Sequence, residues 1–389
     1  MNFMSRPELD STALSCKLLE SNKPMLRFVI ITLLFFSMRL EASEEGFSPL
    51  FNGKDLSGWV EVNTAPSTWS FNEKGYLVCS GKPIGEIRTE RMYQNFILEL
   101  EWRHLVPKGN AGIFVWADDI TARGQPFIRG IEVQVLENAY GDTKSHTCHG
   151  DIFPIHGATM NPIGQNRGQR AFPSEKRSYP SPQWNHYRIE CQDGNISLAV
   201  NGKLVTQGQD CSPRKGYICL ESEGGVVHYR NVRIKELPNN PVSPEHVAIA
   251  DRGFRSYYTG VDLLGWLPTT GWSAEDWKLV ASQDALPIIS ETSFKGPHEF
   301  IVDVVTPDSK TPPVLSLYGK DIPLDLEHEF LAKPGKWNRI KAHWEAGQLI
   351  VTLNDQPWRT ITTPASEYPI RLIPAGQSTW ANIYARPLN

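Results

Sequence analysis

The sequence predicts an all-β protein made of two jelly-roll β-sandwiches in tandem, the second shorter than the first. Short runs that alternate apolar and polar residues dominate the chain, and helical periodicity is scarce. Turn residues separate these runs at regular intervals, which is typical of sandwiches and jelly rolls. The pattern then begins again after a proline-rich segment, which is the signature of an internal repeat.

The alternation is clearest in the run FILELEW at Phe96–Trp102, where one face is wholly apolar and the other carries two glutamates. A period of two predicts a half-buried strand. The stretch Tyr187–Val205 contains Asp193-Gly194 and Asn201-Gly202, which are residue pairs that tolerate positive φ in tight turns. This stretch therefore predicts consecutive hairpins.

The repeat begins with FSPLFNGKDLSGW at Phe47–Trp59, which matches FRSYYTGVDLLGW at Phe254–Trp266. Further along, WNHYRIEC at Trp184–Cys191 matches WNRIKAHW at Trp337–Trp344. The second copy is much shorter between these landmarks. Because surface loops and edge strands can be lost without loss of the core, we expect the missing part to be the site rather than the scaffold.

The domain boundaries follow from two further segments. Three prolines fall within residues 238–244, which predicts a linker between a first sandwich at 44–237 and a second at 245–389. The apolar run Phe28–Met38 has a basic flank and is followed by small residues, which predicts a signal peptide within an N-terminal extension at 1–43. We therefore expect a secreted or periplasmic protein with no membrane span after cleavage. A lipid-facing or buried helix is the alternative.

Composition excludes one class of partner. The formal net charge is −4, so the chain has no basic excess and we expect no nucleic-acid partner. The sequence contains twelve tryptophans and twelve tyrosines, which either fill β-sandwich cores or form stacking platforms for sugars. No CxxC pair occurs, which argues against a structural zinc knuckle.

Candidate site residues lie in the part that only the first copy has. In GIEVQVLEN at Gly130–Asn138, alternation places Glu132 and Gln134 on one face and the valines on the other. A carboxylate beside an amide can orient a hydroxylated ligand, and Glu132 could act as an acid or base if its pKa were raised. An exposed polar face is the alternative interpretation.

The segment HTCHGDIFPIHGATMNP that follows contributes His146, His149, Asp151 and His156. Three imidazoles and a carboxylate can supply a general base near neutral pH. They can also bind a divalent metal, although the spacing fits no strict zinc motif, so the metal remains unknown and no cofactor is predicted. Histidines that only satisfy loop backbone groups are the third possibility.

The motifs LFNGKDLSGW, GNAGIFVW and GIEVQVLEN, in this order, resemble those of the bacterial 3-keto-disaccharide hydrolase domain family. The resemblance covers Phe47–Leu237 as a full copy and Phe254–Leu388 as a truncated one. It implies a concanavalin-like jelly roll and an exported enzyme that cleaves the glycosidic bond of sugars oxidised at C3. Base-assisted elimination followed by hydration would accomplish this, with an oligosaccharide or glycoside as substrate.

Motif by motif, the resemblance places Glu132 and Gln134 on the family's E-x-Q strand and Asn110 in its G-N-S-G turn, where Ala111 replaces the usual serine. We expect Glu132 or His149 to be the catalytic base, with His156 or Asp151 as its partner. The predicted substrate contacts are Asn110, Gln134, Glu137, Arg129, Trp116 and His146.

Two alternatives to the enzyme remain open: a non-catalytic carbohydrate-binding module, and a structural or adhesive protein of an extracellular assembly. A non-catalytic carbohydrate-binding module would use the same fold, because fold does not fix function. The second copy should lack counterparts of GIEVQVLEN and of the histidine segment, so we expect it to be catalytically silent. Deleting residues 245–389 should then preserve the chemistry.

Overall fold

The computed structural model describes residues 46–250, 252–307, 311–324, 334–364 and 366–388. The predicted signal peptide lies outside these residues. Strands dominate the described residues, and the only helical turns in them are two 3₁₀ helices, Asn138–Tyr140 and Pro244–His246. The predicted all-β class, with two sandwiches in tandem, is confirmed. No helix in the described ranges is both long enough and apolar enough to cross a membrane.

Seventeen strands of the described residues precede residue 237 and form two antiparallel sheets. In chain order they are β1 Ser48–Pro49, β2 Trp59–Val62, β3 Trp69–Phe71, β4 Leu77–Cys79, β5 Gly85–Thr89, β6 Phe96–His104, β7 Gly112–Ala117, β8 Gly130–Gln134, β9 Ile152–Ile155, β10 Thr159–Ile163, β11 Asn166–Arg167, β12 Arg170–Ala171, β13 Asn185–Gln192, β14 Asn195–Val200, β15 Lys203–Ser212, β16 Tyr217–Ser222 and β17 Val227–Glu236.

Sheet I has the order β10-β15-β14-β13-β6-β17-β4-β3, with β1 beside β17, and sheet II has the order β11-β12-β9-β8-β7-β16-β5-β2. The apolar positions of the alternating runs meet between these sheets, where Leu98 and Leu100 of β6 share one buried cluster with Ile113 of β7 and Val133 of β8. The opposite positions of sheet II therefore face away from this core.

Thirteen strands of the described residues form the second sandwich. They are β18 Arg255–Ser256, β19 Trp266–Leu267, β20 Trp272–Glu275, β21 Lys278–Ala281, β22 Ile288–Phe294, β23 His298–Val305, β24 Val314–Leu317, β25 Lys320–Pro323, β26 Trp337–Glu345, β27 Gln348–Leu353, β28 Gln356–Thr362, β29 Tyr368–Ile373 and β30 Ser378–Pro387. Sheet III has the order β20-β21-β30-β23-β26-β27-β28 with β18 beside β30, and sheet IV has the order β19-β22-β29-β24-β25.

The strand order of the first sandwich repeats in the second. Sheet III reproduces sheet I from β3 to β15, including the extra edge strand, and sheet IV reproduces β2-β5-β16-β7-β8. In the described part of the chain, counterparts are missing only for β9 to β12. The expectation that GIEVQVLEN has no counterpart is therefore wrong: β25 takes the place of β8. Sequence comparison missed it because β24 and β25 are joined by a tight turn, Leu317 pairing with Lys320, instead of a long loop.

The two sandwiches pack through the outer faces of sheets II and III. Phe114 of β7 and Cys219 of β16 form a buried cluster with Ile301 of β23 and Tyr384 of β30. Ile301 and Tyr384 alternate with residues that belong to the core of the second sandwich, so they point outward from sheet III. Part of the outer face of sheet II is therefore covered by the second sandwich. Both lie in one compact unit, Glu44–Asn389.

Candidate functional site

A row of polar residues crosses the outer face of sheet II. Glu86 of β5 pairs with Glu221 of β16, and Gly112 of β7 pairs with Gln134 of β8. Leu220 pairs with Ile113, which places Glu221 beside Gly112 in the centre of this row. Glu132 lies two residues from Gln134 on the same face. The apolar neighbours in each strand point into the core, so the alternation alone brings these side chains together.

Gly112 leaves room for two carboxyl groups. A Cβ atom on Gly112 would lie 2.8 Å from Oε2 of Glu221 and 2.9 Å from Oε1 of Glu132. The Oε2 atom of Glu221 is buried, and it has no hydrogen-bond partner within the described residues. The two carboxyl groups therefore converge on one point, and like charges this close resist simultaneous ionisation.

Burial sets the protonation of this row. Burial, and then the charge of Glu223, raise the pKa of Glu132 to about 8. Burial raises the pKa of Glu223 to about 7, against a hydrogen bond from Asn110 that lowers it. Burial also raises the pKa of Glu86 and of Glu221 well above the ordinary value, and Glu132 adds to both effects. Two carboxyl groups thus titrate near neutral pH, where general acid–base catalysis is most effective.

A chain of hydrogen bonds orders the polar groups beside the row. The Nε atom of Arg170 donates to Asp151 at 2.6 Å, and its Nη2 atom donates to Oε1 of Gln134 at 2.8 Å. The Nε2 atom of Gln134 donates to Oδ1 of Asn110 at 3.0 Å, and Asn110 in turn donates to Glu223. Asp151 is fully buried. The structure therefore brings Asn110, Gln134 and Asp151 into one network, with Arg170 as its central cation.

Within the described ranges, none of the three histidines forms a hydrogen bond, ion pair or ring contact with Glu132. Nδ1 of His149 is 3.5 Å from a carboxylate oxygen of Asp142, and burial lowers the pKa of His149. His146 pairs with Thr143 at 3.0 Å, and the exposed ring of His156 stacks near Phe127. Among the described residues, no group of three or more His, Cys, Asp or Glu side chains could hold a metal ion.

Two predicted substrate contacts have other partners. Trp116 is fully buried in the core between sheets I and II, and its indole N–H donates to the carbonyl oxygen of Gln94 at 2.8 Å. This position corrects the prediction that Trp116 touches a sugar. Alternation from Gly112 and Phe114 would turn the ring outward, but Trp116 has φ +54° and the pairing of β7 with β16 shifts register here, which places the ring in the core. Arg129 binds Asp118 through two hydrogen bonds of 2.9 Å.

Glu137 holds a loop together. Its carboxylate caps the 3₁₀ helix that starts at Asn138 by accepting from the N–H of Ala139 at 2.8 Å. It also accepts from the N–H groups of Lys108 at 2.8 Å and Ser181 at 3.0 Å. Burial opposes ionisation, but these three backbone donors lower the pKa of Glu137 overall. The carboxylate is therefore occupied within the loop and not directed at a ligand.

Replacing Glu137 by alanine should lower the free energy of unfolding by roughly 1–3 kcal/mol, because three backbone N–H groups lose a charged acceptor that is itself buried. Urea denaturation of the variant measures this change. Affinity for a sugar should stay the same in the folded variant. A selective loss of affinity with unchanged stability would restore Glu137 as a ligand contact.

Sequence analysis did not name Glu86, Glu221, Glu223 or Arg170 among the site residues. A signal for the glutamates was present. GEIRT at Gly85–Thr89 and YICLESE at Tyr217–Glu223 each place a glutamate in an otherwise buried run, at the polar phase of the alternation. Buried carboxyl groups that have no obvious partner indicate a site.

Solved structures of low sequence identity align with about half of this chain. Among solved structures, a proposed glycosyl hydrolase from Parabacteroides distasonis aligns at 22% identity over 50% of this chain and 95% of its own, with a TM-score of 0.38. Carbohydrate-binding module CBM66 from Bacillus subtilis aligns at 15% identity over 46% and 96%, with a TM-score of 0.35. A Bacillus licheniformis β-glucanase aligns at 13% identity over 49% and 97%, with a TM-score of 0.34.

No curated protein matches the chain significantly. Residues 46–235 match the sequence model of the 3-keto-alpha-glucoside-1,2-lyase-like domain, and this match ends before β18. The match spans every strand that contributes to the polar row and to the hydrogen-bond network. The first sandwich therefore belongs to the 3-keto-alpha-glucoside-1,2-lyase-like domain family.

Proposed function

We propose that the first sandwich cleaves the glycosidic bond of glycosides oxidised at C3, by elimination followed by hydration. The observation that carries this proposal is the pair Glu132 and Glu223, whose pKa values of about 8 and about 7 lie where an acid and a base can exchange roles. The pair lies beside an ordered cation, Arg170, in a domain of a family named for this chemistry.

The reaction needs three groups. A base removes the proton at C2, which the C3 ketone acidifies, and the electron pair of that C–H bond forms an enolate whose charge rests on the C3 oxygen. The enolate then expels the C1 oxygen, which takes a proton from an acid, and a C1–C2 double bond remains. Water adds its oxygen to C1 and a proton returns to C2, which gives the free 3-keto sugar.

The local hydrogen bonds assign the roles. Asn110 donates to Glu223 and so favours its ionised form, which makes Glu223 the base at C2. Glu132, whose pKa is the higher of the two, holds its proton at pH 7 and serves as the acid for the leaving group. Arg170 stabilises the enolate oxygen. Gln134 and Asn110, fixed in the network, orient the sugar hydroxyl groups.

Incubation of the full chain with 3-keto-trehalose or a 3-keto-glucoside tests the proposal. We expect release of glucose or of the aglycone, with no reaction on the unoxidised sugar. Binding without turnover would contradict the enzyme and favour the carbohydrate-binding module. Neither binding nor turnover would contradict both.

We also propose that the protein is exported, because the basic flank, the apolar run Phe28–Met38 and the small residues Ala42 and Ser43 have the order of a signal peptide. N-terminal sequencing of the mature protein should show a start close to residue 44. A mature protein that retains the run Phe28–Met38 would contradict export by this route.

A further inference from the structure

The loop at 118–129, which joins β7 to β8, folds back over the outer face of sheet II. The N–H of Ile128 donates to both carboxyl oxygens of Glu86 at 3.2 Å, and Thr121 forms a β-bridge with Ile128. Ile120 and Ile128 are buried against Phe114 in the cluster between the sandwiches. The loop is therefore a roof over part of the polar row and contacts one of its carboxyl groups directly.

Buried polar groups of the second sandwich form hydrogen bonds to the backbone of this loop. Oδ2 of Asp303 accepts from the N–H of Gly124 at 2.8 Å. Arg339, bound to Asp303 at 2.7 Å, donates to the carbonyl oxygen of Thr121 at 3.1 Å. Asn382 donates to the carbonyl oxygen of Gln125 at 3.0 Å and to Asp303 at 2.7 Å.

Asp303, Arg339 and Asn382 have few side-chain hydrogen bonds other than those to one another and to the loop. Asp303 is fully buried and Asn382 is 1% exposed, although both belong to outward positions of sheet III. Burying an ion pair is costly unless its remaining hydrogen-bonding positions are filled, and here the backbone of the loop fills them. A second contact supports the same arrangement: Asp276 accepts from the N–H of Ile84 at 2.7 Å, directly before the strand that carries Glu86.

We propose that the second sandwich positions the site of the first, by clamping the 118–129 loop through Asp303, Arg339 and Asn382. Its consequence for catalysis rests on the proposed function. The clamp reverses the expectation that residues 245–389 are dispensable, because their removal leaves the loop carbonyl groups and the outer face of sheet II without partners.

A wedge at Gly124 tests the clamp in the full chain. Gly124 has φ +64°, and a Cβ on it would lie 2.2 Å from the ring of Trp337 in the second sandwich. Gly124→Ala should therefore push the loop away from sheet III. Gly202→Ala is the matched control, since Gly202 has φ +83° in the β14–β15 turn and a Cβ on it would meet nothing within 4 Å. Both variants carry the strain of an alanine at positive φ.

Hydrogen exchange of the loop amides gives a readout that needs no activity. In Gly124→Ala we expect the amides of residues 118–129 to exchange at least tenfold faster, with no change there in Gly202→Ala. The double variant Gly124→Ala/Trp337→Ala removes the clash and should restore protection in part. Unchanged exchange in Gly124→Ala, or an equal effect in the control, would overturn the clamp.

Enzyme kinetics test the consequence for catalysis separately from the hydrogen-exchange measurement. On a 3-keto-glucoside, Gly124→Ala should lower kcat/KM about tenfold and shift its pH profile, because the roof over Glu86 is displaced. If the wild type is active and Gly124→Ala keeps the wild-type pH profile although its loop is displaced, the second sandwich does not position the site. A wild type without turnover whose loop responds to the wedge would refute the proposed function and leave the clamp standing. If Gly124→Ala does not fold, Tyr384→Phe tests the same contact between sandwich and loop, because it removes the hydroxyl that hydrogen-bonds to Thr121 at 2.9 Å.

Discussion

Glu132→Gln is expected to lower turnover of a 3-keto-glycoside by about 10²–10⁴-fold, the usual contribution of a positioned general acid or base. The substitution is nearly isosteric and places a neutral amide where burial already favours the neutral acid. The fold should therefore survive, and the loss should fall on kcat. The largest loss is expected with a poor leaving group such as a second sugar.

Isotope exchange separates the two roles of the carboxyl pair. If Glu223 removes the C2 proton, Glu132→Gln should still exchange that proton with deuterium from solvent, while Glu223→Gln should not. Proton NMR of the 3-keto sugar in deuterium oxide follows this exchange. Loss of exchange only in Glu132→Gln would make Glu132 the base, as the sequence first suggested.

Glu190→Gln is the matched control for these measurements. Glu190 lies on β13 of sheet I, with 44% of its side chain exposed, in the other sheet of the sandwich from the polar row. Its replacement should leave turnover unchanged. Retention of wild-type turnover by Glu132→Gln would end the assignment of Glu132 as the catalytic acid.

The fold was predictable because strand alternation and turn residues are local. FILELEW became the central strand β6, and the two hairpin signals between Tyr187 and Val205 became the turns that join β13, β14 and β15. The packing of sheet II against sheet III was not predictable. It depends on outward residues such as Ile301 and Tyr384, whose alternation is the same whether a strand faces solvent or a second sandwich.

The site was predictable only where its residues share one strand. Glu132 and Gln134 could be placed on one face from their spacing, but Glu221 and Glu86 join them through pairing between strands that are far apart in sequence. The same limit applies to the predicted catalytic roles of His149 and His156. Their closeness in sequence suggested closeness to Glu132, whereas the segment instead contributes Asp151, which reaches the site through Arg170.

The same register explains why the second sandwich should lack this chemistry. Leu315 of β24 takes the place of Ile113, so Val314 takes the place of Gly112 and Asp321 that of Glu132. A valine at that point fills the space in which the two carboxyl groups of the first sandwich converge. Loss of the glycine alone would therefore exclude a carboxyl group from the position that Glu132, the proposed acid, occupies beside Glu221.

Buried carboxyl groups also predict how stability changes with pH. Glu132 keeps its proton up to about pH 8 in the folded protein and loses it near 4.5 when unfolded. Between these values the folded state binds more protons, so the free energy of unfolding falls as pH rises. Glu223 acts in the same direction up to about pH 7. The lowered pKa of Glu137 acts with the opposite sign, but only below about 4.5.

The pKa of His104 determines the pH range in which this decrease in the free energy of unfolding can be measured without an opposing effect from that residue. Burial lowers the pKa of His104 below 6.5, so the unfolded state binds the extra proton there and stability rises with pH up to about 6.5. Above that value the carboxyl effect is unopposed by His104. One pKa unit corresponds to about 1.4 kcal/mol, so Glu132 alone should lower the free energy of unfolding by up to about 2 kcal/mol between pH 6.5 and 8.

Urea denaturation at pH 6.5 and pH 8 should therefore show a decrease for the wild type and a smaller one for Glu132→Gln, which cannot ionise. Glu190→Gln should keep the wild-type decrease, since Glu190 lies in the other sheet of the sandwich, away from the polar row. Equal decreases in all three proteins would mean that Glu132 ionises without cost when folded. Glu132 would then be neither shielded from water nor repelled by the charge of Glu223. The acid that the proposed reaction requires would be absent from sheet II.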